Sequence, residues 1–377
     1  MDFNLTGERQ MLQDTLRRYL SDKYGTETRN TIIDSEPGMS GEIWAGLAEL
    51  GVLGALFTEA QGGFGGQGFD ISTVFEELGR AGVVEPVLDT AVLGGGLLAE
   101  LGDDAQRELV EQVIGGTLHL ALAHGEPASR FDLSRVETTA RRDGDGVVLD
   151  GRKAVVVNAE AAGYLIVSAR ESGQIFDRDG ISLFLVPADA AGLTLRGYPM
   201  FAGGRAAEVT LDGVALPATA RLGAAGAGYA ALTAVIARAN VALAAEALGA
   251  MESATELTRD YLMTRKQFGR PIGSFQALAH RFSDLLIELE QARSAVIDAA
   301  GHLADEAASR DRHIAAARNL LGRAGRLVAE EAIQMHGGIA MTREYELAHI
   351  AKRIVMTDHR FGDTDYHLER FIELSAA

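Results

Sequence analysis

Two short stretches in the C-terminal half of the chain decide the fold: RKQFG at 265–269 and QMHGG at 334–338. The first continues with PI at 271–272 and FQ at 275–276. An arginine such as the one that opens the first stretch presents a planar fork of donors that matches phosphate oxygens. The glutamine of the second offers an amide, and its paired glycines permit a tight turn that brings backbone donors close to a ligand. Taken alone, paired glycines are a weak signal and the arginine fits a salt-bridged surface residue as well, so the two stretches gain their meaning from their spacing and their position in the chain.

The composition restricts the classes of function that remain. The chain has 377 residues, which suits two or three packed domains. The net charge is −18, so a phosphate backbone is repelled and nucleic-acid binding is not expected. There is no cysteine, which excludes disulfides, thiolate metal sites and cysteine nucleophiles. A polar start at 1–4, with no apolar run approaching the ~20 residues of a membrane span, predicts a cytoplasmic protein.

The hydrophobic pattern changes twice along the chain. Residues 1–117 have helical periodicity, and GGFGG at 62–66 lacks the lysine of a phosphate loop, so it predicts a connecting loop. Residues 118–220 hold short β-branched runs separated by Asp-Gly pairs, which predict hairpin turns and an antiparallel β-barrel. Residues 221–377 are helical again and predict a four-helix bundle. Apolar residues on one helix face support both helical parts: Leu12, Leu16, Tyr19 and Leu20 in the first, and Phe275, Leu278, Phe282, Leu285 and Leu289 in the second.

The two stretches, together with phrases elsewhere, resemble the acyl-CoA dehydrogenase family, whose members bind FAD. The resemblance covers nearly the whole chain, because the opening 1–6, the segment EELGR at 76–80 and the phrase DGRK at 150–153 match in order. In particular the chain resembles the small subunits of pimeloyl-CoA dehydrogenases and related actinobacterial heteromeric enzymes, through SRFDL at 129–133 and FGDTDYH at 361–367.

The resemblance implies a fold, a reaction and a divided cofactor site. The fold is mainly α with a central β-domain, and the reaction is the α,β-dehydrogenation of an acyl-CoA thioester. In homotetrameric relatives one subunit holds the flavin ring, while its neighbour reaches the pyrophosphate and adenosine through the two stretches. The third glycine of the usual second motif is Ala340 here. The cofactor-binding residues implied are Arg265, Phe268, Phe275, Gln276, Gln334, Gly337 and Gly338.

The catalytic base of the family is missing from both of its usual positions. One position follows the tyrosine of Glu344-Tyr345 by sixteen residues, and Phe361 occupies it. The other lies 26 residues before Arg265, where the chain has Ala239. Asp363, Asp365 and Glu246 are nearby carboxylates that could substitute. The aspartates are expected to cap the following helix and Glu246 to belong to the bundle.

The residues that hold the flavin ring in relatives are also altered. The usual Glu-Pro-Gly-x-Gly-Ser-Asp loop is EPASRFD at 126–132, with Arg130 and Phe131 in place of a glycine and a serine. The usual Trp-Ile-Thr-Asn strand is VVVN at 155–158, without the indole and the hydroxyl. Val155 and Val157 are expected as ordinary strand residues. Arg130 and Phe131 could fill the vacated slot.

Three hypotheses account for this pattern. The first is a subunit of an FAD-dependent heterotetramer, α2β2, that supplies the adenosine and pyrophosphate half of the site to a base-bearing acyl-CoA dehydrogenase subunit. It would act on bulky or dicarboxylic acyl-CoA substrates and pass electrons to an electron-transfer flavoprotein or a similar acceptor. The second is a self-sufficient homotetramer that uses Asp363 as a displaced base. The third is a cofactor-free scaffold or regulatory subunit. No metal site is predicted, since His280 and His336 have no second ligand at a suitable spacing.

Overall fold

A computed structural model describes residues 5–376. The polar start at 1–4 and most of the opening phrase at 1–6 lie outside the described residues. The helices are α1 Gly7–Lys23, α2 Thr26–Asp34, α3 Gly41–Glu49, α4 Gly68–Ala81, α5 Gly96–Leu101, α6 Asp104–Ile114, α7 Gly228–Thr264, α8 Gln276–Gly301, α9 Ala307–His336, α10 Glu346–Thr357 and α11 Thr364–Ala376. The strands are β1 Leu120–Ala123, β2 Thr139–Asp143, β3 Gly146–Val157, β4 Tyr164–Arg170, β5 Ile181–Pro187, β6 Leu193–Pro199, β7 Arg205–Pro217, β8 Arg221–Leu222, β9 Lys266–Gln267 and β10 Arg270–Pro271.

The order of helical, β and helical segments agrees with the prediction. The chain divides by internal contacts into two compact units: Ile32–Gly66 with Val84–Ala239, and Met1–Thr31 with Gln67–Val83 and Asn240–Ala377. The first unit contains the large sheet with α3, α5 and α6. The second contains α1, α4 and the C-terminal helices. The N-terminal helices are therefore shared between two hydrophobic cores, which helical periodicity alone does not reveal.

The β-domain is one mixed sheet rather than the wholly antiparallel domain expected from the sequence. Its eight strands run in the order β6-β7-β3-β2-β4-β5-β8, with β1 paired to β4. Most neighbours are antiparallel, but β1 and β2 both pair with β4 in parallel. Long connections permit parallel pairs, and residues 124–163 separate β1 from β4. Among the described residues, the two outer strands β6 and β8 do not pair with each other. Buried side chains from six strands nevertheless share one apolar cluster.

Two of the predicted hairpin turns lie opposite each other at a single β-bulge between β3 and β7. The turn between β2 and β3 is tight, because Asp143 pairs with Gly146 across a two-residue loop. Asp150-Gly151 instead lies inside β3, where the register with β7 shifts. Asp212-Gly213 lies inside β7, and the Gly213 amide donates to Asp150 Oδ1 at 2.8 Å. An Asp-Gly pair signals a positive φ, and a bulge satisfies that signal as well as a turn does.

The helical unit is assembled around α9. Helices α8, α10 and α11 all pack on α9, and α4 packs on α8 and α1. The predicted stripe on α1 is confirmed at Leu16 and Leu20, which are buried. On α8 it is confirmed at Leu285 and Leu289, while its first turns remain largely exposed. Five helices rather than four follow β8 in the described chain.

Helix α7 corrects the expectation that no segment is apolar enough to cross a membrane. Over 18 residues its mean hydropathy is 1.5, which passes that test by length and composition. The helix is rich in alanine, so it has few large apolar side chains and is less conspicuous in the sequence than a leucine-rich segment. However, 83% of this window is buried inside the protein. The apolar side chains of α7 are therefore those of a helix in the protein core.

Candidate active site

The first motif forms a short hairpin directly after α7. Strands β9 and β10 pair Lys266 with Pro271 and Gln267 with Arg270. The two residues between them, Phe268 and Gly269, have φ of 53° and 78°. Positive φ at both central residues is typical of a type I′ turn, whose twist matches that of a two-stranded ribbon. The Phe268 side chain is 91% exposed at the tip of this hairpin.

The polar side chains implied as cofactor ligands face away from the rest of the chain. Arg265, Gln276 and Gln334 are exposed. None of the three side chains has a hydrogen bond or ion pair with any residue between 5 and 376. Phe275 is half-buried and lies beneath Arg270, whose guanidinium carbon is 4.2 Å from the ring centroid. The motif therefore presents unpaired donors beside aromatic surface, an arrangement that can accept an anionic ligand with an aromatic group.

The second motif spans the last three residues of α9, Gln334 to His336, and the two glycines that follow the helix. Gly337 has φ 70° and ψ −147°, a conformation that strongly favours glycine. A Cβ at Gly337 or Gly338 would meet no atom within 4 Å, so the conformation, not crowding within the chain, requires glycine at 337. Ala340 is fully buried, so its methyl group does not cover the exposed face of the turn.

Neither usual base position carries a carboxylate. Ala239 is fully buried in α7. Phe361 has φ 56° in the loop after α10, and the Arg360 guanidinium lies 5.2 Å from its ring. Arg318, 2% exposed, fixes this loop by donating to the carbonyls of Thr357, Arg360 and Gly362 at 2.8, 3.0 and 3.3 Å. The loop is thus rigidly held around a side chain that cannot accept a proton.

The nearby carboxylates have structural roles in this chain. Asp363 Oδ1 accepts from the Tyr366 amide at 2.9 Å and caps the start of α11. Asp365 is exposed in the first turn of the same helix. Glu246 is buried and accepts from Arg353 at 2.7 Å. The oxygens of Asp363 and Glu246 are thus already engaged by donors of this chain.

The loop at 126–132 is anchored at its first residue by a buried ion pair. Lys153 Nζ donates to Glu126 Oε1 at 2.7 Å, and the backbone amides of Glu137 and Thr138 donate to the same carboxylate. Burial alone would raise the pKa of Glu126, but the Lys153 ammonium and the hydrogen bonds hold it below its usual range. Burial lowers the pKa of His124, whose Nδ1 lies 2.9 Å from Ser168 Oγ, to about 3.

The far end of the same loop is occupied by large side chains. Arg130 is exposed with φ 46°, and its guanidinium lies 5.2 Å from the ring of the adjacent Phe131. Asp132 closes the loop by accepting from the amide and hydroxyl of Ser134 at 2.9 and 2.7 Å. The loop thus keeps an ordered backbone, while an arginine and a phenylalanine cover the positions where small residues were implied.

Val155 lies in a strand, as expected, but its backbone conformation is not that of an ordinary strand residue. Val155 has φ 53°, is 58% exposed and lies where the register between β3 and β7 shifts. A β-branched residue with positive φ is strained, because its Cβ crowds the following carbonyl. Strand propensity favoured valine here, but the bulge determines the local conformation.

Strained backbone marks the motif segments and nothing else in the described chain. Between residues 5 and 376, the non-glycine residues with positive φ are Arg130, Val155, Asn158, Phe268 and Phe361. Arg130 lies in the loop at 126–132, Val155 and Asn158 in the segment at 155–158, and Phe268 in the β9–β10 hairpin. Phe361 is one of the two usual base positions. Such conformations persist where the surrounding structure enforces them and cluster at functional sites. The backbone of the site is therefore retained where its side chains have changed.

A cluster that sequence spacing missed lies at the junction of α8 and α9. His302 and His313 stack with centroids 3.7 Å apart and planes 4° apart, and His313 Nδ1 lies 2.6 Å from Asp298 Oδ2. Asp298 and His302 are four residues apart, but His313 comes from the next helix. The three groups are close enough to ligate a metal ion. Parallel rings, however, direct their in-plane lone pairs side by side rather than toward one ion, and His302 Nδ1 already bonds the Asp298 carbonyl.

Comparison with known proteins identifies the family. Three family models match consecutive parts of the chain: the acyl-CoA dehydrogenase N-terminal domain at 6–115, middle domain at 121–214 and C-terminal domain at 226–373. The acyl-CoA dehydrogenase IpdE2 of Mycobacterium tuberculosis is 32% identical, over 92% of this chain and 90% of that protein. The chain belongs to the acyl-CoA dehydrogenase family. FAD is the cofactor of this family of oxidoreductases and of this chain.

Solved acyl-CoA dehydrogenases share the fold over the full length. A steroid acyl-CoA dehydrogenase, Tcur3481–Tcur3483, superposes with a TM-score of 0.87 at 32% identity and covers 98% of each chain. The ChsE4–ChsE5 complex of M. tuberculosis superposes with a TM-score of 0.89 at 25% identity, covering 100% of this chain and 99% of that one. The three-part fold inferred from the sequence is confirmed by these matches.

Proposed function

We propose that this chain is the non-base-bearing subunit of a heteromeric acyl-CoA dehydrogenase. It supplies the adenosine and pyrophosphate half of an FAD site whose flavin half belongs to a partner subunit. The partner provides the base that removes the α-proton of the acyl-CoA thioester. FAD, when bound, accepts the β-hydrogen as hydride.

The exposure of the retained motif carries this proposal. Arg265, Gln276 and Gln334 have no partner within residues 5–376, and Phe268 projects from its hairpin almost fully exposed. Arg265, Lys266 and Arg270 form a local basic group on a chain of net charge −18. An unpaired arginine can bind a pyrophosphate through charge-assisted hydrogen bonds, and Phe268 and Phe275 offer surface for an aromatic group. These residues fit the adenosine end of FAD.

The flavin end does not fit in the same chain. The residue at the position of the usual tryptophan is the exposed Val155, and Val157 lacks a hydroxyl for hydrogen bonding. Arg130 and Phe131 place two large side chains in the loop where close backbone approach needs small residues. Both base positions are apolar, at Ala239 and Phe361. No catalytic step can therefore be assigned to a side chain of this protein, whose residues bind and orient the cofactor.

An exposed apolar face on the bundle supports assembly with another subunit. Helix α8 exposes Leu286 and Ile287, which line a groove with Leu320 of α9. Leu368 and Ile372 are exposed on α11. Adjacent exposed apolar side chains of this kind mark protein interfaces. Two of the similar structures carry paired names, Tcur3481–Tcur3483 and ChsE4–ChsE5, which supports a partner of the same family in an α2β2 tetramer.

The substrate class follows by analogy with those relatives. Because Tcur3481–Tcur3483 is described as a steroid acyl-CoA dehydrogenase, we infer a bulky acyl-CoA such as a steroid side-chain thioester. A dicarboxylic, pimeloyl-like thioester is the alternative from the sequence resemblance. Electrons would leave through an electron-transfer flavoprotein or a similar acceptor.

Expression alone and with the partner tests the proposal. The chain purified alone is expected to be colourless and inactive toward acyl-CoA. The two chains produced together are expected to copurify as a yellow complex that oxidises the thioester. A yellow and active protein from this chain alone would establish a self-sufficient homotetramer instead. A colourless complex would leave only a scaffold role.

A further inference from the structure

Both retained motifs lie at the end of a helix, so whatever fixes those helix ends also fixes the motifs. Helix α7 ends at Thr264 and Arg265 follows it immediately. Helix α9 ends at His336 and Gly337 follows it immediately. The relative position of the hairpin and the glycine turn therefore depends on how α7 and α9 are joined at these ends.

Three aromatic side chains make that join. The ring of His336 stacks on the ring of Tyr261, with centroids 4.5 Å apart and planes 23° apart. Tyr261 lies one turn before Arg265 on α7. On the other side, His336 Nε2 lies 3.1 Å from the hydroxyl of Tyr345, the residue that precedes α10. Tyr261, His336 and Tyr345, here called the aromatic clamp, thus connect α7, α9 and the start of α10.

The hydrogen bonds of the clamp define one protonation state of its histidine. His336 Nδ1 lies 2.8 Å from the Ala332 carbonyl, which can only accept, so Nδ1 carries the proton. The Nε2 lone pair then accepts from the Tyr345 hydroxyl. His336 is 4% exposed, and burial lowers its pKa below the usual value. A neutral ring held from three sides has little freedom to move.

We propose that the aromatic clamp positions the adenosine half of the FAD site. Tyr261, His336 and Tyr345 are positioning residues: they act through Arg265 and through the Gly337–Gly338 turn, and they do not touch the cofactor. Fixing both segments before binding removes the ordering cost that two mobile segments would impose on FAD affinity. This inference rests on the proposed function, since it assumes that these segments bind FAD.

The contrary view is that the clamp only stabilises the helical bundle. Tyr345→Phe separates the two views, because it removes one hydroxyl and leaves the ring packing in place. Tyr198→Phe is the matched control. It also removes a single part-buried phenol hydrogen bond, from Tyr198 to Glu208 at 2.9 Å, but in the β-domain. A second variant, Tyr261→Leu, removes the ring stack and leaves the hydrogen bond to Tyr345.

Two quantities are measured for each variant in complex with the base-bearing partner. The first is the dissociation constant of FAD, determined from flavin fluorescence, and the second is the melting temperature. Tyr345→Phe and Tyr261→Leu are expected to weaken FAD binding about five- to tenfold, the loss that one hydrogen bond or stacked ring represents. Tyr198→Phe is expected to leave FAD binding unchanged at a similar melting temperature. If the wild-type complex binds FAD and all variants bind it with equal affinity, the clamp proposal is overturned and the proposed function stands. A wild-type complex without FAD would overturn the proposed function, and the clamp proposal with it.

Discussion

Under the proposed function, Arg265 is the residue on which the donated half of the cofactor site depends most. Its guanidinium has no partner in the described part of its own chain, so it stabilises nothing there. Arg265→Ala is expected to weaken FAD binding by the complex about tenfold or more, since a hydrogen bond to a charged group contributes ~1.5–3 kcal/mol. The melting temperature of the chain alone is expected to stay the same.

The control for Arg265 is another exposed arginine. Arg326→Ala removes the same charge from α9, where Arg326 pairs with Glu330 four residues on. FAD titration of both complexes distinguishes a specific contact from a general loss of positive charge. A similar loss of affinity in both variants would contradict a specific role for Arg265.

Asp363 offers a direct test of the displaced-base alternative. Its carboxylate caps α11 by accepting from the Tyr366 amide. Asparagine caps helices about as well as aspartate but cannot remove a proton. Asp363→Asn is therefore expected to leave the turnover number and the melting temperature of the complex nearly unchanged. A turnover number lowered by a factor of a hundred or more, with the fold intact, would assign the base to Asp363.

Val155 stores strain that no contact explains. It is 58% exposed with φ 53°, a conformation that costs a non-glycine residue ~1–2 kcal/mol and that asparagine tolerates better. Val155→Asn is expected to stabilise the chain by about 1 kcal/mol in denaturant unfolding. Val157→Asn is the comparison, because Val157 has no positive φ and should gain nothing. A loss of stability at position 155 would show that the valine side chain has a packing partner in the assembly.

Helices α4 and α7 contribute to a cluster of carboxylates, Glu76, Glu77 and Glu252, in which Glu77 is paired with an arginine and Glu76 has a raised pKa. Glu77 is buried and held by Arg17 at 2.5 and 2.8 Å. Burial raises the pKa of Glu76, together with the nearby carboxylates of Glu252 and Glu77, to about 7. A carboxyl whose folded-state pKa is raised binds its proton more tightly in the folded state. Stability is therefore expected to fall as the pH rises from about 4.5 to about 7.

Glu76→Gln removes that penalty. It is expected to raise the free energy of unfolding at pH 8 by on the order of 2 kcal/mol, with little effect at pH 4.5. Glu77→Gln should do the opposite at pH 8, because it breaks the pair with Arg17. Urea unfolding at both pH values measures these differences. A Glu76→Gln gain that is the same at pH 4.5 and pH 8 would contradict the pKa shift.

The secondary-structure elements show what the sequence could predict. Buried positions such as Leu16 and Leu285 follow from helical periodicity, which reports one face of one helix. The bulge that contains Gly151 and Gly213 could not be predicted in this way, because an Asp-Gly pair indicates a backbone angle and not the strand pairing around it. The parallel pairing of β1 and β2 with β4 depends on where distant strands meet, which local patterns do not encode.

The site was predictable where motifs carry it and hidden where contacts carry it. Arg265 and Gly337 are candidates from the sequence because their type and spacing are distinctive, and their role stays a prediction. Lys153 and Arg318 could not, because a buried lysine or arginine looks like a surface residue until its partners are known. Tyr345 was found only as a landmark for the missing base, while its bond to His336 joins segments that are distant in sequence.

The protein as a whole has the fold of an acyl-CoA dehydrogenase, and the proposed function rests on the residues that differ within that fold. Its strained positions coincide with the motif segments, but the base positions are Ala239 and Phe361. What one subunit needs in its own site is altered, whereas what it presents outward remains. Random loss of function would not spare one half of a divided site. The pattern favours a subunit that completes the site of another.

The most direct test of this division of labour is the number of FAD molecules per chain in the purified complex, from flavin absorbance and protein mass. The account predicts about one FAD for every two chains, with none retained by this chain alone. One FAD per chain, or FAD bound by this protein without a partner, would show that Arg130, Phe131 and Val155 line a working flavin site, and would contradict the account.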